Sequence, residues 1–184
     1  MFRSLSRAAS HLAFEDRFTR HLVKICLGAL LLSFLAQFKI PMYPTPITLQ
    51  PLGVFLLGLT LGSKRAFFSA LLYLAAATMG WPVLSGGHSN PLWMISPNAG
   101  FLLFFPITAY LAGRCFEKRE KISYIALSLK LTGAQLAMDL SGVIVLSYFF
   151  GFDQAIMIGF IPFVITNFVQ RSIAMFLLKF NKGV

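Results

Sequence analysis

Charge is what this chain has least of. Charged residues fill 12% of its 184 positions, where a soluble globular domain carries roughly 25%. With 57% hydrophobic residues and a mean hydropathy of +0.75, that shortage excludes an ordinary water-facing surface and implies a polytopic membrane protein. The net charge of +10 does not indicate a nucleic-acid binder. The basic residues form no stripe interleaved with aromatics and sit instead at the ends of apolar runs. Cysteine is nearly absent: Cys26 and Cys115 lie in or beside apolar segments without metal-ligand spacing, so they read as small packed residues. No cleavable leader is expected, because residues 1–24 are basic and amphipathic rather than basic, then apolar, then small. Residues 1–21 are expected to form a cytoplasmic helical arm on the lipid surface, ahead of a transmembrane domain at 22–180.

Catalytic patterns are missing as well. Ser85-Gly86-Gly87-His88 places a serine near a histidine, but no membrane-length run supplies a second histidine or an acid to orient it. The stretch Gly58-Leu59-Thr60-Leu61-Gly62-Ser63-Lys64 lacks the spacing of a phosphate loop and follows an apolar run, not a strand. No enzymatic activity, metal or cofactor is expected, and any pumping must draw its energy from another protein.

What is present is six apolar runs, at about 22–38, 51–61, 66–80, 101–114, 122–150 and 162–179. A span needs roughly 17–25 residues, so the second, third and fourth must borrow flanking residues or be shielded by neighbours. Basic residues orient them. Arg3, Arg7, Arg17, Arg20, Lys24, Lys64, Arg65, Arg114, Lys118, Arg119, Lys121, Lys179 and Lys182 fall on one side, and Lys39 alone on the other. The expected fold is therefore all-α, with six transmembrane helices and both termini cytoplasmic. The segments 39–50, 81–98 and 151–161 then face outward as loops. The first holds Pro41, Pro44 and Pro46 ahead of Thr48 and Gln50, a stiff extended stretch suited to a lid over a buried ligand.

Polar groups inside spans are costly and tend to be functional. Lys130 is near enough to the cytoplasmic end of its run to snorkel outward. Asp139 lies deeper. Asn167, Gln170 and Arg171 share a face of the last run at i, i+3 and i+4. They either build a pocket with Asp139 or, in the plainer reading, Asp139 and Arg171 pair and hold two helices together. Ala29, Ser33 and Ala36 form a small-residue face, suited equally to internal packing or to a partner. Trp81 and Trp93 are interfacial anchors or pocket walls.

From Ala36 to Gly113 the chain resembles the BioY family, the biotin-binding S components of energy-coupling-factor transporters. The resemblance rests on Ala36-Gln37-Phe38-Lys39-Ile40-Pro41, on Pro46-Ile47-Thr48-Leu49-Gln50-Pro51-Leu52-Gly53, and on Gly80-Trp81-Pro82-Val83-Leu84-Ser85-Gly86-Gly87 with Ser96-Pro97-Asn98-Ala99-Gly100-Phe101. It extends more loosely to Gly159-Phe160-Ile161-Pro162-Phe163. It implies a six-helix S-component fold in a bacterial cytoplasmic membrane, with an outward-facing biotin site closed by the first outer loop. It also implies docking, through a small face here at Ala29, Ser33 and Ala36, on a transmembrane scaffold subunit coupled to two ATPases. The departures are specific. Where the family has an acid and a lysine at the start of the last span, this chain has Asn167 and Gln170. Asn98 replaces a threonine, and Asp139 stands near an expected tyrosine. Losing both members of a buried ion pair is far less costly than losing one. The expected substrate-binding set is Asn98, Asn167 and Gln170, with Asp139 as a second acceptor for a ureido N–H, Thr45, Thr48 and Gln50 in the lid, and Arg171 beside them. The alternatives are an S component for another small vitamin or precursor, and a membrane scaffold that transports nothing.

Overall fold

The computed structural model describes residues 2–117 and 123–180, with side chains described for 18–117 and 123–177. Helices dominate: α1 (Phe2–Leu35), α2 (Gln50–Leu61), α3 (Ser63–Thr78), α4 (Ala99–Glu117), α5 (Tyr124–Phe150), α6 (Phe152–Gly159) and α7 (Ile161–Phe180). Two-residue strands β1 (Lys39–Ile40) and β2 (Ile47–Thr48) pair antiparallel, Lys39 opposite Thr48 and Ile40 opposite Ile47. Among the described residues, four stretches are long and apolar enough to cross a membrane: Phe18–Leu35, Ala99–Glu117, Tyr124–Phe150 and Phe152–Leu177. α2 has 12 residues, about 18 Å of helix, well short of the ~30 Å hydrocarbon layer. Val54, Phe55, Leu57 and Leu59 are almost wholly buried, so its neighbours shield it instead.

Local chemistry sets the element ends. Pro51 falls in the first turn of α2, where no backbone donor is needed. α2 stops at Gly62, whose φ of 81° is open to glycine and strained for other residues. α3 begins at the next residue, so Lys64 and Arg65 occupy its first turn rather than the loop that the apolar runs suggested. Glu117 at the end of α4 accepts from both the amide and the hydroxyl of Ser63 at 2.8 Å, which caps α3. The expected cytoplasmic arm and first span form one uninterrupted helix, α1. Lys118, Arg119, Lys121 and Lys182 lie outside the described residues.

The segment 151–161, expected as an outer loop, is not a loop. It folds as α6 because Ala155 and Gly159 can bury against α5, with Leu146, Phe101 and Val143 in the same apolar cluster. Internal packing takes up part of the small-residue face at 29, 33 and 36. Ala29 and Ala36 are buried and Ser33 is half-buried, its hydroxyl donating back to the Ala29 carbonyl at 3.0 Å. Ala29 packs in one cluster with Leu57, Ala66 and Ala70. Close approach of α1 to α2 and α3 uses Ala29 of this face.

Candidate ligand-binding site

The β1–β2 hairpin, the 79–98 segment and the junction of α5 with α6 meet at one end of the bundle. The Gly86 amide donates to the Ala36 carbonyl at 2.9 Å, and the Tyr43 ring lies edge-on to Phe150 at 6.4 Å. Beneath them is a cavity of about 360 Å³, within the roughly 300–1,000 Å³ of small-molecule sites. Its roof is the proline hairpin, with Pro41, Met42, Thr45 and Pro46. Trp93, Phe101, Phe105, Met138 and Phe163 wall it, and Thr48, Gln50, Asn98 and Asn167 supply polar groups.

Each polar group is held. The Thr45 hydroxyl donates to Asn98 Oδ1 at 2.6 Å, a bond between the roof and the start of α4. The Thr48 hydroxyl donates to Gln50 Oε1 at 2.9 Å, and Gln50 Nε2 donates to the buried Tyr73 hydroxyl at 2.6 Å. Asn167 Nδ2 donates to Asp139 Oδ1 at 2.8 Å. At the rim, Lys39 Nζ stands 3.4 Å from His88 Nε2, and both residues line the cavity. The apolar wall is equally constrained. Phe101 stacks on Phe163 with ring centres 5.3 Å apart. Its ring occupies the space above Gly142 on α5, where a Cβ would stand 2.1 Å from it.

Five of the expected binding residues line the cavity: Thr45, Thr48, Gln50, Asn98 and Asn167. Three do not. Asp139 lies behind Asn167 and takes N–H donors from it and from Gln135, at 3.1 Å for the latter. It therefore meets the cavity only through Asn167. Gln170 turns toward α2, accepting the Leu52 amide at 2.9 Å and donating to the Thr48 carbonyl at 3.0 Å. Arg171 donates to the Thr132 hydroxyl and lies over the Phe168 ring. It forms no ion pair with Asp139, since Thr132 and Asp139 are seven residues apart on α5, about 10 Å along the axis.

Trp93 is buried, walls the cavity and donates from its indole to Thr78 at 3.0 Å, whereas Trp81 is exposed. Sequence reasoning missed Tyr73, the Phe101–Phe163 wall and the Lys39–His88 pair. The first two look like ordinary apolar helix residues. Lys39 and His88 are 49 positions apart, and no periodicity links them.

Comparison with known proteins agrees with this architecture. A family model described as "BioY family" matches residues 5–182. A protein of Pyrococcus horikoshii named "Probable biotin transporter BioY" is 31% identical over 159 residues, covering 86% of this chain and 94% of that protein. "Biotin transporter BioY" of Thermotoga maritima is 31% identical over 157 residues, covering 84% and 91%. Among solved structures, the S-component for biotin from an ECF-type ABC transporter superposes with a TM-score of 0.76 at 21% identity, over 92% of this chain and 94% of that one. The fold is shared.

Proposed function

Given that this chain belongs to the BioY family, a family of transport components and not of enzymes, we propose that it binds biotin and serves its uptake as the substrate-binding component of an energy-coupling-factor transporter. The observation that carries this reading is the cavity under the proline hairpin, aromatic on its walls and lined by the amides of Gln50, Asn90, Asn98 and Asn167. Biotin has an apolar thioether ring, a ureido head with two N–H donors and one carbonyl, and a carboxylate. Asn98 and Asn167 complement a urea, because an amide both donates and accepts. Trp93, Phe101 and Phe163 suit the ring. Lys39, beside His88 at the rim, is the cation available to the carboxylate.

In this reading α1, α2, α3, α4, α5 and α7 are the six spans, both termini are cytoplasmic and the cavity opens outward. The protein sits in the bacterial cytoplasmic membrane among its lipids. It works with a transmembrane scaffold subunit and two ATPases that supply the energy. Thr45, Thr48 and Gln50 belong to the lid. Gln170 holds that lid to α7, Asp139 supports Asn167, and Arg171 secures α7 to α5.

Equilibrium binding of labelled biotin to the purified protein in nanodiscs, with riboflavin and thiamine as competitors, tests the assignment. Saturable binding displaced by unlabelled biotin alone is the expected result. A folded sample that binds no biotin, or releases it to another vitamin, overturns it.

A further inference from the structure

Of the two amides assigned to the ureido head, Asn98 and Asn167, only one has its direction dictated. Asn98 is bonded to the Thr45 hydroxyl, and a hydroxyl both donates and accepts, so either end of that amide would satisfy it. Asn167 is bonded to Asp139 Oδ1, an oxygen that also receives an N–H of Gln135. An Oδ1 that carries no proton, in a carboxylate or in a carboxyl protonated on Oδ2, can only accept. The Asn167 NH2 must therefore face α5, and its Oδ1 must face away. That oxygen is buried and has no hydrogen-bond partner among the described residues. A buried acceptor without a donor is costly and calls for a partner. Asn167 is 1% exposed and lines the cavity, while Asp139 and Gln135 do not.

We infer that Asp139 is a positioning residue for specificity: by holding the Asn167 amide in one orientation, it makes the cavity present an acceptor there, and so selects a ligand with an N–H donor at that point. The inference rests on the biotin reading, in which a ureido N–H is that donor. Asp139 need not touch the ligand. With a freely turning Asn167 the same position would accept a carbonyl as readily as an N–H, and selection between them would weaken.

The test compares biotin with a biotin methylated on a ureido nitrogen, bound to the wild type, to Asp139→Asn and to the reciprocal exchange Asp139→Asn with Asn167→Asp. In Asp139→Asn the new amide can meet Asn167 with either end. Biotin affinity should fall about tenfold and methylated biotin less than about threefold, so discrimination narrows. In the exchange, the amide at 139 donates to the carboxylate at 167, whose second oxygen remains an acceptor, so discrimination should return. Equal losses for both ligands in Asp139→Asn would show a merely structural role and overturn the inference. So would biotin affinity within about twofold of wild type, or a folded exchange variant that fails to regain discrimination. Should Asp139→Asn not fold, the exchange variant decides alone on that last criterion. Wild-type protein that binds no biotin removes the biotin assignment and this inference with it, whereas wild-type binding with an indifferent Asp139→Asn removes this inference only.

Discussion

Gln170 on α7 accepts the amide of Leu52 at 2.9 Å. The first-turn amides of a helix have no partner within it, and this one, in α2, is satisfied from another helix. The same side chain donates to the Thr48 carbonyl at 3.0 Å, so one residue joins α7 to both the end of the hairpin and the start of α2. Lysine, which resemblance to the family suggests at this position, has three donors and no acceptor.

Gln170→Lys should therefore loosen the hairpin. Stranding the Leu52 amide costs about 1–3 kcal/mol, read as a lower melting temperature and a faster release of bound biotin. A release rate indistinguishable from wild type would show that the hairpin is held by other contacts.

Thr45→Val keeps the shape of the roof and removes its hydroxyl bond to Asn98. The expected loss is about 1 kcal/mol, roughly fivefold in biotin affinity, with little change in melting temperature. Titration by calorimetry measures both affinity and stoichiometry. Undiminished affinity would place Thr45 outside the closed site.

Lys39→Met tests the rim. A hydrogen bond to a charged group contributes about 1.5–3 kcal/mol, so biotin should bind at least about tenfold more weakly. The uncharged biotin amide should lose much less, and the salt dependence of biotin binding should flatten. If acid and amide weaken equally, Lys39 shapes the rim without reading the carboxylate.

Gly142→Ala introduces a Cβ where the Phe101 ring already stands. Overpacking of this kind costs about 1–3 kcal/mol. Because Phe101 stacks on Phe163, the displacement should reach the cavity wall and weaken binding as well as folding. A second substitution, Phe101→Leu, should recover the melting temperature of Gly142→Ala while leaving binding weak. Failure of that rescue would mean the clash is relieved elsewhere.

Much of this was legible from composition and order. The long apolar runs, the proline stretch with Thr48 and Gln50, and the 81–98 segment with its Gly, Pro, Ser and Asn residues all depend on local chemistry: hydrocarbon length, a fixed proline φ and missing backbone donors. α6 escaped notice because its two turns bury through Ala155 and Gly159 against α5 and Phe101, and a glycine looks the same in a loop. Lys64 and Arg65 were assigned to a loop because an apolar pattern cannot show that a single glycine reverses the chain.

For the site residues the division is sharper. Spacing put Asn167, Gln170 and Arg171 on one face of the last helix, and that is correct within the helix. Yet Asn167 lines the cavity, Gln170 reaches α2 and Arg171 reaches Thr132 on α5. A helical face spans enough arc to touch three different neighbours, so the rotation and height of α7 decide which residue meets which. Likewise Ala29 and Ala36 suit a partner or the protein's own core, and the structure buries both, Ala29 in one cluster with Leu57, Ala66 and Ala70. The sequence by itself determined a membrane-embedded helical chain with a stiff, polar proline segment, because those properties are additive over short stretches. Only the tertiary structure decided which buried polar groups face the cavity and which serve each other, because a hydrogen bond depends on two groups at one place, and their sequence separation carries no record of it.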